Sequence, residues 1–427
     1  MSKPLILIGL GWMTLFTLTN VRGQEVRFDA EFRPRTELRQ GFRKLVPDSL
    51  TAAVITTQRT RFNTEYQSSS LKVRLTLQDA RIWGNSNNKA NTSKIEMYEG
   101  WFEWLISPEF SIKMGRQALR YDDQRLFASP VWSYTGTAHD VLLLKYEKNA
   151  ASVHSGWAYN NSSDNLVNAD YSYPNNQNYK ALAYLWLSKP LNNSLTLSLI
   201  GVCDAFEDAN DFSLLQTRMT YGGNLVLKND SSRIGGIFTA YFQGGKDPHK
   251  VYNDDYSELS AFLLAIKMNY LFSSHLKAKI GCDYFSGSSA DIESGKSNTF
   301  NRLYGASHSF NGSMEYFVRL PQHGLIDFYG GLEWTANKKL RAECIFHRFS
   351  FAEYFYYAGV LADNNIGSEM DVLLNYRATR EVSVQFGLSK FFKTSSTAKY
   401  FNLNDVKLRP NHWAYLMITV KPALFKS

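Results

Sequence analysis

Arg27, Arg33, Arg35, Arg59, Arg61 and Arg74 crowd the first part of this chain and share one parity with Glu31, Glu65, Glu99 and Glu103. An arginine stays charged at physiological pH and presents a planar fork that grips carboxylates in pairs. A wall lined with such forks draws anions in and turns cations away. The same arginines could instead pair with the neighbouring glutamates and brace a wet interior. Further along, Arg218, Lys277, Lys279, Arg341 and Lys390 fall in segments of the same alternating kind, and the reading places them on the same polar face.

Other constellations carry weaker chemistry. Ala290 to Ser297 matches a relaxed P-loop, which needs a buried strand before it and a helix after it; here it lies in a long polar stretch. Glu99 and Glu103 could form the acid pair of a glycoside hydrolase, but they share a face with arginines, which favours bracing. His139 beside Asp140 is half a catalytic pair with no nucleophile near it. Asp122 and Asp123 could hold calcium; pairing with Arg120 and Arg125 is the preferred reading. The eight histidines show no ligand spacing. The expectation is a protein that is not an enzyme, with no cofactor and no metal site.

The elements that position the charged face repeat every two residues. Leu71, Val73, Leu75 and Leu77 alternate with Lys72, Arg74, Thr76 and Gln78. Val26 to Arg33, Leu276 to Tyr284 and Val382 to Leu388 do the same. Such alternation puts apolar side chains on one face of a strand and polar ones on the other. Eight short turns fall near residues 67–70, 107–109, 149, 188–193, 229–231, 273–274, 335–338 and 378–379. Nine long polar loops interleave with them, at 40–51, 85–93, 121–137, 160–178, 207–215, 244–256, 287–324, 350–366 and 393–409. Seventeen connections join eighteen strands. Short turns at one end and long loops at the other mark a transmembrane antiparallel β-barrel, with periplasmic turns and extracellular loops. The loops 121–137 and 287–324 are expected to fold toward its mouth.

The composition agrees once it is split by parity. The 427 residues are 44% hydrophobic and 15% aromatic, with net charge +8, and the mean hydropathy is −0.31. No run of about 18 apolar residues exists for a helical span. The aromatic content excludes a disordered chain, and three cysteines exclude a disulfide scaffold. Cys203, Cys282 and Cys344 fall on apolar parity and read as small hydrophobes. Lys3, the apolar run Leu5 to Leu18 and Val21-Arg22-Gly23 have the layout of a secretory signal peptide covering 1–23, leaving 24–427 as the barrel. Trp83, Trp101, Trp104, Trp157, Trp186, Trp334 and Trp413 are expected at strand ends, as an aromatic girdle requires. His412 to Val420 reads as a last strand, with Phe425 beyond it.

The stretch Lys113 to Tyr146 contains Gly115, Arg116, Gln117, Leu119, Tyr121, Asp122, Asp123, Gln124, Arg125 and Leu126, then Trp132, then His139 and Asp140. This pattern resembles the alginate-export family of outer-membrane porins, in its Bacteroidetes form. Phe300 to Gly305, His308 to Gly312 and the Trp-Ala-Tyr-Leu ending resemble the family more loosely. The resemblance implies an 18-stranded monomeric barrel whose basic lumen passes an anionic uronate polymer. It also implies an arginine-rich selectivity path, carried here onto Arg116, Arg120 and Arg125 as members of the motif. Arg116 shares parity with Ile112 and Met114, which conflicts with a lumen position; a bulge at Gly115 that flips the register, or a place above the membrane, would reconcile the two. The expected partners are outer-membrane lipid and lipopolysaccharide, an anionic saccharide and the barrel-assembly machinery, but no nucleic acid. A loop-plugged surface barrel that binds a glycan or partner without transport is the alternative.

Overall fold

The computed structural model describes residues 23–86, 95–164, 166–167, 171, 179–208, 211, 213–228, 233–252 and 255–427. The expected signal peptide therefore lies, but for Gly23, outside the described residues. Eighteen long strands follow. They are β1 (Glu25–Gln40), β2 (Ala53–Gln67), β3 (Leu71–Ile82), β4 (Glu96–Leu105), β5 (Phe110–Gln117) and β6 (His139–Lys148). Next come β7 (Ala151–Tyr159), β8 (Ala181–Pro190), β9 (Leu195–Glu207), β10 (Leu215–Leu227), β11 (Ile234–Tyr252) and β12 (Asp255–Leu271). The last six are β13 (Leu276–Phe285), β14 (Leu325–Thr335), β15 (Leu340–Ser350), β16 (Asn365–Arg377), β17 (Val382–Phe392) and β18 (Asn411–Val420).

Each strand pairs antiparallel with the next. The sheet closes where β18 returns to β1, with His412 facing Gln40 and Val420 facing Phe32. Closure leaves no open edge, which is what lets a sheet stand in lipid. A short segment, Ala423–Lys426, continues along β1 and sets Phe425 5.9 Å from Phe28. The expected turn at 229–231 and parts of the expected loops at 85–93, 160–178 and 207–215 lie outside the described residues. Among the described residues the expected turns and loops alternate as read, with one difference. Residues 244–256 are not a long loop: β11 and β12 run on to Tyr252 and Asp255, because their pairing resumes beyond an irregularity after Lys246.

Period two decides what faces out. Phe32, Leu38, Phe62, Leu75, Leu77, Met114, Leu264, Ile266, Phe328, Phe346 and Leu416 form an exposed apolar belt. The three cysteines are free and sit on that outer parity. Trp83, Trp104, Trp157 and Trp334 are exposed at strand ends. Trp101, Trp186 and Trp413 are not in the girdle. They point inward, where Trp101 lies under the Lys113 ammonium, Trp186 donates to Asp122, and Trp413 donates to Glu37. Lys390 also departs from expectation. It shares parity with the exposed Phe386 and Leu388, while Ser389 and Phe391 are buried inside.

The inward face is not uniformly polar. In the long-loop half, β6 to β9 turn Val141, Leu143, Leu182, Ile200 and Val202 inward, all buried. Loop residues Phe127, Phe300 and Met314 join them in one cluster with Phe285, Leu325, Phe349 and Trp413. The hydrophobic core thus sits inside the barrel mouth, where loops 118–138 and 286–324 fold back against the strands. A six-residue helix, α1 (Ser395–Tyr400), caps the last loop.

Candidate functional site

The lumen narrows where loop 118–138 meets the wall of β1 and β2. Alternation turns Arg33, Arg35, Arg59 and Arg61 inward, and the loop main chain runs past them. Arg33 donates to the carbonyls of Val131 and Ser133, the latter at 2.7 Å. Arg35 donates to Trp132 O at 2.6 Å. Arg59 donates to Ser133 O at 2.9 Å and Arg61 to Thr135 O at 3.4 Å. Four guanidinium groups therefore hold one five-residue stretch of main chain. Arg33, Arg35 and Arg59 are buried as a result.

Carboxylates answer only part of this charge. Glu31 lies 2.6 Å from Arg59, and Glu37 lies 2.9 Å from both Arg35 and Arg39. The Arg35 guanidinium also stacks 3.5 Å above Trp132, which stacks on the His308 ring at 4.0 Å and meets Tyr415 and Trp413 edge-on. His308 belongs to loop 286–324, so the two loops meet on this wall. Arg61 lies 3.6 Å over Tyr98 and donates to Gln78.

The conspicuous motif of the sequence builds this constriction. Gly115 has φ +121, and a Cβ there would stand 2.3 Å from Gly100 O, so only glycine fits without movement. The β4–β5 register nevertheless runs unbroken through Gly115, with Arg116 opposite Gly100. Arg116 is therefore outside the pore, paired at 3.0 Å with the exposed Asp140. The expectation that it lines the selectivity path is corrected: no bulge turns it inward. Gln117 is buried and donates to Val141 O. Tyr121 meets Tyr184 and His154, and Asp122 accepts from Trp186 rather than pairing with Arg120.

Arg125 crosses to the opposite wall. It holds Asp283 of β13 with two prongs, at 2.8 and 2.9 Å, and Asp123 at 2.7 Å. Gln124 accepts from Ser129, and its own carbonyl accepts from Ala306. His139 contacts the Tyr179 hydroxyl at 3.0 Å. Arg120 is exposed and donates to Ser129. The motif is thus mainly a clasp that seats loop 118–138, with Asp123 paired to Arg125 as read.

Arg218 is buried near the long-loop end of β10, 2.6 Å from Asp204, while Arg74, Lys277, Lys279 and Arg341 line the short-turn half. Arg74 pairs with Glu65 and with Glu99 at 3.1 Å, and Glu103 pairs with Lys145 at 2.9 Å, so these glutamates brace the wall. Lys277 and Lys279 lie 3.2 and 2.7 Å from Glu333, and Arg341 lies 3.9 Å from it. Lys267 escaped the sequence reading. It stands inward between the exposed Ile266 and Met268 and lines a cavity of ≈ 150 Å³ with Lys279, Asp283, Tyr329, Glu343, His347 and Asp371. Its neighbours' outward parity was the available signal. Among the described residues, Lys72, Lys113 and Lys267 reach no carboxylate within ion-pair distance.

The tip of loop 286–324 rests on acids of β14 and β16. Ser313 N donates to Asp371 at 3.1 Å, Met314 N to Glu369 at 2.8 Å, and Asn311 Nδ2 to Asp327 at 3.1 Å. His347 also contacts Asp327 at 3.0 Å. Next to this tip, the buried Glu315 binds His308 at 2.8 Å and Arg43. Burial opposes its charge, but His308 and Arg43 outweigh it and hold the carboxyl below its ordinary value.

Solved structures share this architecture. The match to OccAB1 of Acinetobacter baumannii has a TM-score of 0.64 at 12% identity, covering 94% of this chain and 97% of that one. The chain has the fold of an outer-membrane porin. OccK2 (OpdF) of Pseudomonas aeruginosa matches with TM-score 0.64 and 12% identity, over 94% of this chain and all of that one. OpdK of the same organism, solved with vanillate, matches with TM-score 0.60 and 12% identity, over 94% and 99%. No protein-family model matches the chain, and no curated protein sequence matches it closely.

Proposed function

We propose that the barrel is a channel for anionic solutes in the outer membrane of a Gram-negative cell, with its long loops outside and its short turns in the periplasm. The observation that carries this reading is the wall of β1 and β2. Arg33, Arg35, Arg39, Arg59 and Arg61 face Glu31 and Glu37, and loop carbonyls accept from Arg33, Arg35, Arg59 and Arg61. A carbonyl satisfies a hydrogen bond but cancels no charge. The wall therefore keeps a positive field that a low-dielectric pore focuses. Lys72, Lys113 and Lys267 add to it.

The chain acts here without chemistry. A solute carboxylate exchanges between cations, each contact weak enough to release it. The vanillate in the OpdK structure is a small carboxylate of the kind such a lumen would admit. The resemblance of the 113–146 motif to alginate-export porins favours a uronate saccharide as the natural solute. The test is single-channel current with uronate oligomers or vanillate on one side. Concentration-dependent interruptions by these anions, and none by neutral sugars of equal size, are expected. Equal effects of both would reject the anion preference.

The plugged-barrel reading has one observation behind it: both long loops pack inside the mouth. A barrel that stays non-conducting after removal of residues 287–324 would favour it.

A further inference from the structure

We propose that Arg348, Lys390 and His412 form a site on the outside of the barrel for the phosphate groups of a lipid headgroup in the outer leaflet. The sequence along three strands sets it up. On β15 the outward series is Ala342, Cys344, Phe346 and Arg348; on β17 it is Val384, Phe386, Leu388 and Lys390; on β18, read from the short-turn end, it is Ile418, Leu416, Ala414 and His412. Each apolar series reaches a basic residue near the long-loop side; on β17 the exposed Phe392 follows Lys390 on the same parity.

The register gathers them. Lys390 faces His412 directly across β17–β18. Arg348 faces Ser368 of β16, and Met370, two residues further on, faces Lys390. Arg348 and Lys390 thus flank one short stretch of β16, two strand spacings across and two residues along, about 12 Å apart. The outward residues between them, Ser368 and Met370, carry no charge.

Carboxylates are missing from this patch. Elsewhere on the outer rim, Arg81 has Asp79 at 2.6 Å and Arg116 has Asp140 at 3.0 Å. Arg348 and Lys390 make no ion pair among the described residues; Lys390 has the Phe392 ring at 5.1 Å. Long basic side chains at the end of an apolar belt reach toward the polar interface, and arginine and lysine are the residues that bind phosphate. The patch points away from the lumen, so a solute in transit does not meet it. A phosphorylated lipid anchored at that depth does. The proposal rests on the placement of the long loops in the outer leaflet.

The experiment uses the full mature barrel in nanodiscs containing bis-phosphorylated lipid A, or the same lipid with its phosphates removed, and counts retained lipids by native mass spectrometry. The parent protein should hold the phosphorylated form and not the dephosphorylated one. In R348Q/K390Q, retention should fall roughly tenfold or more, the order expected when two basic residues near an anionic surface are neutralised. R348K/K390R should keep the lipid. Unchanged retention in the neutralised variant, equal retention of the dephosphorylated lipid, or complete displacement by excess inorganic phosphate would overturn the proposal. Unchanged conductance of R348Q/K390Q would show that the barrel folds and separates this result from the channel reading.

Discussion

Arg125 and Asp283 meet inside the barrel as a two-pronged pair, one on the constriction loop and one on β13, with both nitrogen–oxygen distances under 3 Å. Both side chains are almost wholly buried, at 4% and 1% exposure. Breaking one side of a buried pair strands the other charge, at a cost of about 3–5 kcal/mol. Arg125→Ala should therefore free loop 118–138 from the far wall. The expected result is noisier, larger single-channel currents and a lower unfolding temperature. The double change R125L/D283L should recover much of the stability, since it strands no charge.

The arginine ladder should hold the same loop from the other side. Replacing Arg33, Arg35 and Arg59 together by glutamine removes four donations to the carbonyls of Val131, Trp132 and Ser133. Conductance should rise as the loop loosens, while preference for anions falls. Protease cleavage near Trp132 in the refolded variant, absent in the parent, would report the released loop directly.

Lys267 offers a cleaner probe, because it has no ion pair to break. Lys267→Glu should leave heat-modifiable gel migration unchanged and lower anion preference. A matched Lys279→Glu should damage folding more, since Lys279 bridges Glu333 and Glu343 at 2.7 and 2.9 Å.

Acid should loosen the mouth. Glu315 has a pKa held below 4.5 in the folded chain. A depressed carboxyl contributes stability that is fully present above its unfolded value and is lost as pH falls through the folded one. Below about pH 4.5, its hold on His308 and Arg43 should therefore weaken. His308 stacks on Trp132 at 4.0 Å, so tryptophan emission should change over this range. In Glu315→Gln the change should already be present at neutral pH.

Much of the fold was legible because a barrel writes its period into every strand. Leu71 to Gln78 already shows which side meets lipid, and the alternation of turn and loop counts the strands. What was hidden depends on where loops go after the strands close. Parity placed Arg33, Arg35, Arg59 and Arg61 in the lumen, but could not show that loop carbonyls would cover them. It also could not show that Val141, Leu143 and Leu182 would face inward, since an apolar inward residue makes sense only once Phe127 and its loop lie on top. Arg116 was the informative conflict. Its parity pointed outward while the motif pointed inward, and the unbroken register beside Gly115 decided for parity. Lys390 was misplaced although its own neighbours, Leu388 and Phe392, gave the answer.

On the proposed reading the lumen keeps a positive field although its arginines are engaged. Reversal potential across a planar bilayer under a potassium chloride gradient tests it most directly. The mature barrel should pass chloride in preference to potassium, and replacing Arg59, Arg61 and Arg74 together by glutamate should reverse that preference. Cation selectivity in the parent protein, or an unchanged reversal potential in the triple variant, would rule out a lumen whose arginines set a positive field.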